Sequence, residues 1–140
     1  MIYTTLDSDP NSASSVAARL YASLVAKFTR ALLTPVARPV LPANITLNVN
    51  LANTNGSGCT DANNFKFVFT RVISDLGAID VETCESTHLP DETTVIGSGG
   101  CFVSVTVIDA NTKKDVNATV QTVVLNRLQR NLDFSCFNSV

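Results

Sequence analysis

Four cysteines constrain this chain more than any other feature. They stand at Cys59, Cys84, Cys101 and Cys136, with no Cys-x-x-Cys pair and no neighbouring histidine. A zinc site needs close ligand pairs, because two ligands must reach one tetrahedral centre from a short turn. An even, widely spaced set reads instead as two disulfides, which belong to an oxidising compartment. Three pairings are open, and the spacing does not choose among them. The expected location is therefore extracellular, with a signal peptide already removed ahead of Met1.

The 140 residues suit one domain, and a chain of this length buries roughly 70% of its unfolded surface. Residues 1–43 read as a helix and connector belonging to the same domain as a core over 44–140. Charged residues make up only 16% of the chain, against about 25% on average. Polarity comes from 13 Asn, 12 Ser and 16 Thr. With that composition, the three N-x-S/T sequons at Asn44, Asn55 and Asn117 match chance. They permit glycosylation without arguing for it.

The net charge of −2 leaves no nucleic-acid footprint, since such binders concentrate Lys and Arg on one face. The distribution is uneven. No acid lies between Asp9 and Asp61, where Arg19, Lys27, Arg30 and Arg38 fall. No base lies between Arg71 and Lys113, where Asp75, Asp80, Glu82, Glu85, Asp91, Glu92 and Asp109 fall. These regions either face water or, through 19–38 and 75–92, drive self-association. No run exceeds three apolar residues, and a bilayer span needs about 20, so no membrane span is expected.

Periodicity places the elements. Ile2 to Leu6 reads as a short strand, followed by a turn over 7–10. Over 12–33, Val16, Leu20, Leu24, Phe28 and Leu32 recur every four residues, widened by Ala17, Tyr21 and Val25. That is an amphipathic helix with Ser12, Ser14 or Ser15 as cap. Pro35, Pro39 and Pro42 then impose an extended connector. Ile45, Leu47, Val49 and Leu51 alternate with Thr46, Asn48 and Asn50, a half-buried strand. The stretch 61–77 fits strand or helix through its phenylalanines. Asp61 as cap and Gly77 as stop favour helix.

Ala78 to Thr83 alternates, with Ile79 and Val81 inward and Asp80 and Glu82 outward. A polar loop follows over 85–100, with a short strand at 93–96. Cys101 to Asp109 is a strong strand. Val116, Val120, Val123, Val124, Leu128 and Leu132 trace a helix capped by Asp115. The tail from Asp133 adds an edge strand carrying Cys136. The expected fold is α+β, a ferredoxin-like split βαβ plait. Two helices lie on a four-stranded antiparallel sheet, with an additional N-terminal helix.

Catalytic signals are sparse. His88 is the single histidine, so a Ser-His-Asp set would use it with Asp91 or Glu85 as orienter. Asp80 and Glu82, on one strand face, would stand roughly 7 Å apart, within the range of about 5–9.5 Å for glycosidase carboxyls. Any i, i+2 strand pair meets that spacing. A cation site on Asp80, Glu82 or Glu85 lacks calcium-loop spacing. Gly97-Ser98-Gly99-Gly100 precedes a strand, whereas phosphate loops precede a helix. No cofactor or metal is expected.

The layout of 44–140, with Gly97-Ser98 before Cys101-Phe102-Val103-Ser104-Val105, resembles SEA-type extracellular domains. Some members of that family cut themselves at a Gly-Ser bond in this turn. The resemblance makes Gly97 and Ser98 the candidate self-cleavage pair, although Gly99 and Gly100 stand where the family has β-branched residues. The same plait with a few disulfides also resembles small secreted killer-toxin-like effectors. The expected role is a secreted, non-catalytic binding or structural module acting through protein–protein contacts. A small toxin or effector, and a hydrolase using Asp80, Glu82 or His88, are the alternatives.

Overall fold

The computed structural model describes residues 12–54 and 58–138. The expected strand over 2–6, the turn over 7–10 and the sequon at Asn55 lie outside the described residues.

The fold is α+β. Helix α1 (Ala13–Leu33) begins at Ser12, whose hydroxyl accepts the Ser15 N–H. It buries Leu20, Leu24, Phe28 and Ala31 and leaves Val16, Val25 and Leu33 exposed. Each buried Leu or Phe contributes about 1.5–3 kcal/mol. Arg127 clamps the helix end to the proline connector. Its guanidinium donates to the carbonyls of Leu32, Pro35 and Ala37 at 2.8–2.9 Å.

Strands β1 (Ile45–Leu51), β2 (Lys66–Thr70) and β3 (Phe102–Asp109) form one sheet in the order β1-β3-β2. β1 runs antiparallel to β3, and β2 runs parallel to it. The four-stranded antiparallel sheet is therefore corrected to three strands with one parallel pair. The tail supplies a single parallel bridge, Phe67 to Phe134, with Ser135 N–H donating to the Phe67 carbonyl at 2.8 Å.

Helix α2 (Glu92–Gly97) lies in the β2-to-β3 crossover, and α3 (Ala118–Leu128) follows β3. One sheet face carries Leu47, Val49, Leu51, Phe67, Phe69, Val103, Val105 and Val107. It packs with α1 and α3 residues, including Leu24, Val124 and Leu128, in one core. The other face carries Asn48, Val68, Thr70, Ser104, Thr106 and Ile108, and α2 packs over it.

Several expectations are corrected. Residues 61–77 are not a helix: a 3-10 turn (Ala62–Asn64) leads into β2. Both faces of β2 are covered, so Phe67, Val68, Phe69 and Thr70 are all buried. Gly77 does not stop a helix in left-handed conformation; it sits in a loop where Asp75 accepts its N–H. Residues 78–83 form no strand. The alternation holds at Val81, which packs against the core, and at exposed Glu82, but it is reversed at Ile79 and Asp80. Asp80 is 3% exposed and Ile79 72%. Residues 93–96 are helical because Asp91 caps them. Asn117, not Asp115, caps α3, its Oδ1 accepting the Val120 N–H. Asp115 instead accepts the Val72 and Ile73 amides.

The disulfides are Cys59–Cys101 and Cys84–Cys136. The first joins the segment after β1 to the start of β3. There, a Cβ on Gly100 would strike the Phe102 ring, so only glycine leaves that ring its place.

Candidate functional site

Between β2 and α2 the chain makes a loop over 72–90 with a closed neck. Arg71 N–H donates to the Pro90 carbonyl, and Glu92 N–H donates to the Arg71 carbonyl. The loop is compact and pinned from inside. Arg71 Nη1 meets Asp80 Oδ1 at 2.5 Å, and Gln121 Nε2 donates to the same oxygen at 2.9 Å. Asp80 Oδ2 accepts the Leu89 N–H, and Gln121 Oε1 accepts the Val81 N–H. Asp115 adds a second carboxylate 3.6 Å from Arg71 Nη2.

The loop holds a tight turn, Thr83 to Ser86, closed by two reciprocal backbone bonds of 2.9 Å. Its central residues, Cys84 and Glu85, both have positive φ, 54° and 62°. Neither is glycine, so each costs about 1–2 kcal/mol there. The Cys84–Cys136 bond ties this turn to the tail. The tail is further fixed by edge-on ring contacts of Phe134 with Phe69 and of Phe137 with Phe102, at 5.6 and 5.4 Å.

Loop, tail and β2 enclose a cleft of about 620 Å³. Phe69, Leu89 and Phe134 supply apolar walls; Glu82, His88 and Asp91 supply polar ones. Asp91 caps α2, its carboxylate accepting the Thr94 N–H at 2.8 Å and the Thr94 hydroxyl at 2.7 Å. Burial pushes this carboxyl up. The Thr94 bonds and neighbouring backbone amides outweigh that and hold it below its ordinary value of 3.8. His88 Nδ1 lies 3.1 Å from the Ala78 carbonyl. Ser86 Oγ accepts the His88 N–H and donates to the His88 carbonyl, so it engages the main chain rather than the imidazole.

Glu82 and His88 thus share the cleft, but Asp80 does not join them. It is consumed by Arg71, and the reading of Asp80 as a surface carboxylate beside Glu82 is corrected. Ser98 closes α2, its hydroxyl donating to the Val95 carbonyl at 2.7 Å, with Gly97 the last helical residue. Asn44 and Asn117 are exposed. The acidic region divides: Asp80 is structural, whereas Asp75, Glu82 and Glu85 are exposed on the loop. Among the described residues, ion pairs involve Arg71 with Asp80 and Asp115, and none joins 19–38 to 75–92.

Alternation did not reveal the exposed apolar residues of the loop. Ile73, Leu76 and Ile79 are 69%, 82% and 72% exposed, and Leu76 lines the cleft. A signal was present: three large aliphatics spaced by three within a stretch rich in Ser, Asp and Gly. Among the described residues, no helix is long and apolar enough to cross a membrane. No group of three or more His, Cys, Asp and Glu side chains there is placed to hold a metal. No protein-family model, curated protein or solved structure matches the chain.

Proposed function

We propose that the protein is a secreted binding module that holds a protein partner through its 72–90 loop and the adjoining cleft. One observation carries this reading. Three large aliphatic side chains are held in water on a loop fixed by an ion pair and a disulfide. Exposing apolar side chains on a rigid loop has no folding benefit, whereas a preorganised apolar loop beside a cleft lowers the ordering cost of binding. The two disulfides support an oxidising compartment. Titration finding four thiols without reduction would overturn secretion.

The test is a displayed peptide library panned on the full chain. Peptides that bind the wild type but not a variant with Ile73, Leu76 and Ile79 changed to serine support the reading, provided its unfolding midpoint is unchanged. Binding that survives those changes overturns it, as does failure to select any peptide. A toxin or effector would use the same surface on its target. The shared cleft of Glu82 and His88 favours one other reading, a hydrolase. A hydrolytic activity abolished by His88→Ala would replace the binding reading.

A further inference from the structure

The outer edge of β1 is unpaired among the described residues. Its neighbour in the sheet is β3. Ala110 N–H donates to the Asn44 carbonyl, and Ala52 N–H donates to the Phe102 carbonyl. In that register the even-numbered residues turn their backbone groups toward β3, and Leu47, Val49 and Leu51 turn theirs outward. Ile45 fits the same phase, because its N–H goes to the Pro42 carbonyl and not to β3. No described residue bonds the outward N–H and C=O groups of Leu47, Val49 and Leu51.

Edge strands are normally blunted by charge, proline, a bulge or a covering element. Ile45–Leu51 has no charged residue and no proline. Its register with β3 runs unbroken through all seven residues. We propose that this edge pairs with the same edge of a second copy of this chain. The strands run antiparallel about a two-fold axis at Asn48, and the two sheets become one of six strands.

The sequence is self-complementary in that register. Ile45 meets Leu51 of the second copy, Leu47 meets Val49, and Thr46 meets Asn50. Apolar residues fall on the core face and polar ones on the α2 face. Leu47 and Val49 of opposite copies exchange both N–H···O bonds, because their backbone groups already point outward. The strand itself carries no charge, so no like-charged residues stand directly opposite each other across the new pairing.

A second observation lies beside the edge. An apolar hollow of about 200 Å³ opens between α1 and β1, lined by Leu24, Val25, Phe28, Val49 and Leu51 among others. Val25 at its rim is 51% exposed. The second copy's strand extends the sheet next to this hollow and continues its apolar surface. The dimer is separate from the 72–90 loop and leaves that loop free in both copies.

Sedimentation of the full chain tests this. The expected mass is twice 14.9 kDa, falling to one chain on dilution. The Leu47 and Val49 amides exchange slowly with solvent in the dimer and fast after dilution. Val49→Pro removes an outward donor and gives a monomer with unchanged circular dichroism. Should that variant fail to fold, Asn48→Cys is the second readout. Directly opposed residues of a non-hydrogen-bonded pair lie within disulfide reach. Mild oxidation then cross-links two copies at position 48, as peptide mapping reads. A monomer at every concentration overturns the proposal. A dimer untouched by Val49→Pro, or one that does not cross-link at position 48, also overturns it.

Discussion

Arg71 and Asp80, nine residues apart, form an ion pair of 2.5 Å inside the protein, their side chains 8% and 2% exposed. The pair closes the 72–90 loop on itself. Asp80 also accepts from Gln121 and the Leu89 amide, and Arg71 Nε donates to the Ile73 carbonyl. Every partner lies in the loop or under it.

Removing one member leaves the other charge buried and unpaired. Asp80→Ala is expected to cost about 3–5 kcal/mol, read as a lower urea midpoint. Asp80→Asn keeps the shape and an acceptor and should cost less. If Asp80→Ala unfolds at the wild-type midpoint, the ion pair does not hold the loop.

The pair also shows what alternation can and cannot reveal. β1 and β3 were legible because each turns one apolar face to the core and one largely polar face to α2, so period-two patterning records which face meets the core. Over 78–83 the same pattern misled. Asp80 is buried by its charge partner at Arg71, a relation that local spacing does not encode, and Ile79 is exposed in its place. β2 was ambiguous because both its faces are covered, so Val68 and Thr70 are buried as well as the phenylalanines. The β-branched run of α2, Thr93 to Ile96, masked a helix set by Asp91 and Thr94 at its start. Cysteine count and spacing gave two disulfides, but the pairing depends on β3 lying in the middle of the sheet. Of the cleft, His88, Glu82 and Asp91 were legible as candidates. Their meeting with Phe134 was not, because it depends on where the tail docks.

The Cys84–Cys136 bond closes a separation of 52 residues. A loop of that length is worth about 4 kcal/mol in the chain-entropy account. Replacing both cysteines by serine is expected to lower stability by about 2–4 kcal/mol, measured by denaturant unfolding. Because this bond also anchors one wall of the cleft, the tail amides from Phe134 to Asn138 should exchange faster. Unchanged exchange there would show that the aromatic contacts alone hold the tail.

Glu85 is exposed and has φ of 62°. Glycine adopts that conformation without the Cβ penalty. Glu85→Gly should therefore raise stability by about 1 kcal/mol, after allowing for the greater freedom it gives the unfolded chain. Thermal unfolding of the single variant measures it, and a fall in midpoint would show that the turn is not strained.

Asp91 gives the α2 start a pH dependence with a defined sign. Its folded pKa lies below the ordinary 3.8, so the unfolded chain binds the proton first as pH falls. The stabilisation is full above that value and is lost as pH drops through the folded pKa. Asp91→Ala should cost about 1 kcal/mol at neutral pH, as for other N-caps. The gap between the two proteins should close below pH 3.8. A gap independent of pH would mean that the carboxylate charge contributes nothing to the cap.

Ser104 and Thr106 sit two residues apart on the β3 face beneath α2, both fully buried, yet their hydroxyls differ in kind. Thr106 Oγ1 donates to Glu92 at 3.0 Å and meets Thr70 Oγ1 at 2.6 Å. Asn48 Nδ2 completes the Glu92 carboxylate at 2.8 and 3.0 Å. Ser104 Oγ has no hydrogen-bond partner among the described residues. A buried hydroxyl without a partner carries its desolvation cost uncompensated, whereas a paired one leaves its partners orphaned when deleted. Ser104→Ala is therefore expected to be neutral or to stabilise by about 1 kcal/mol, and Thr106→Val to destabilise by about 1–3 kcal/mol. Both substitutions remove one hydroxyl from the same strand face, so opposite signs in denaturant unfolding isolate pairing from burial. Destabilisation by Ser104→Ala would show that its hydroxyl is hydrogen-bonded in solution.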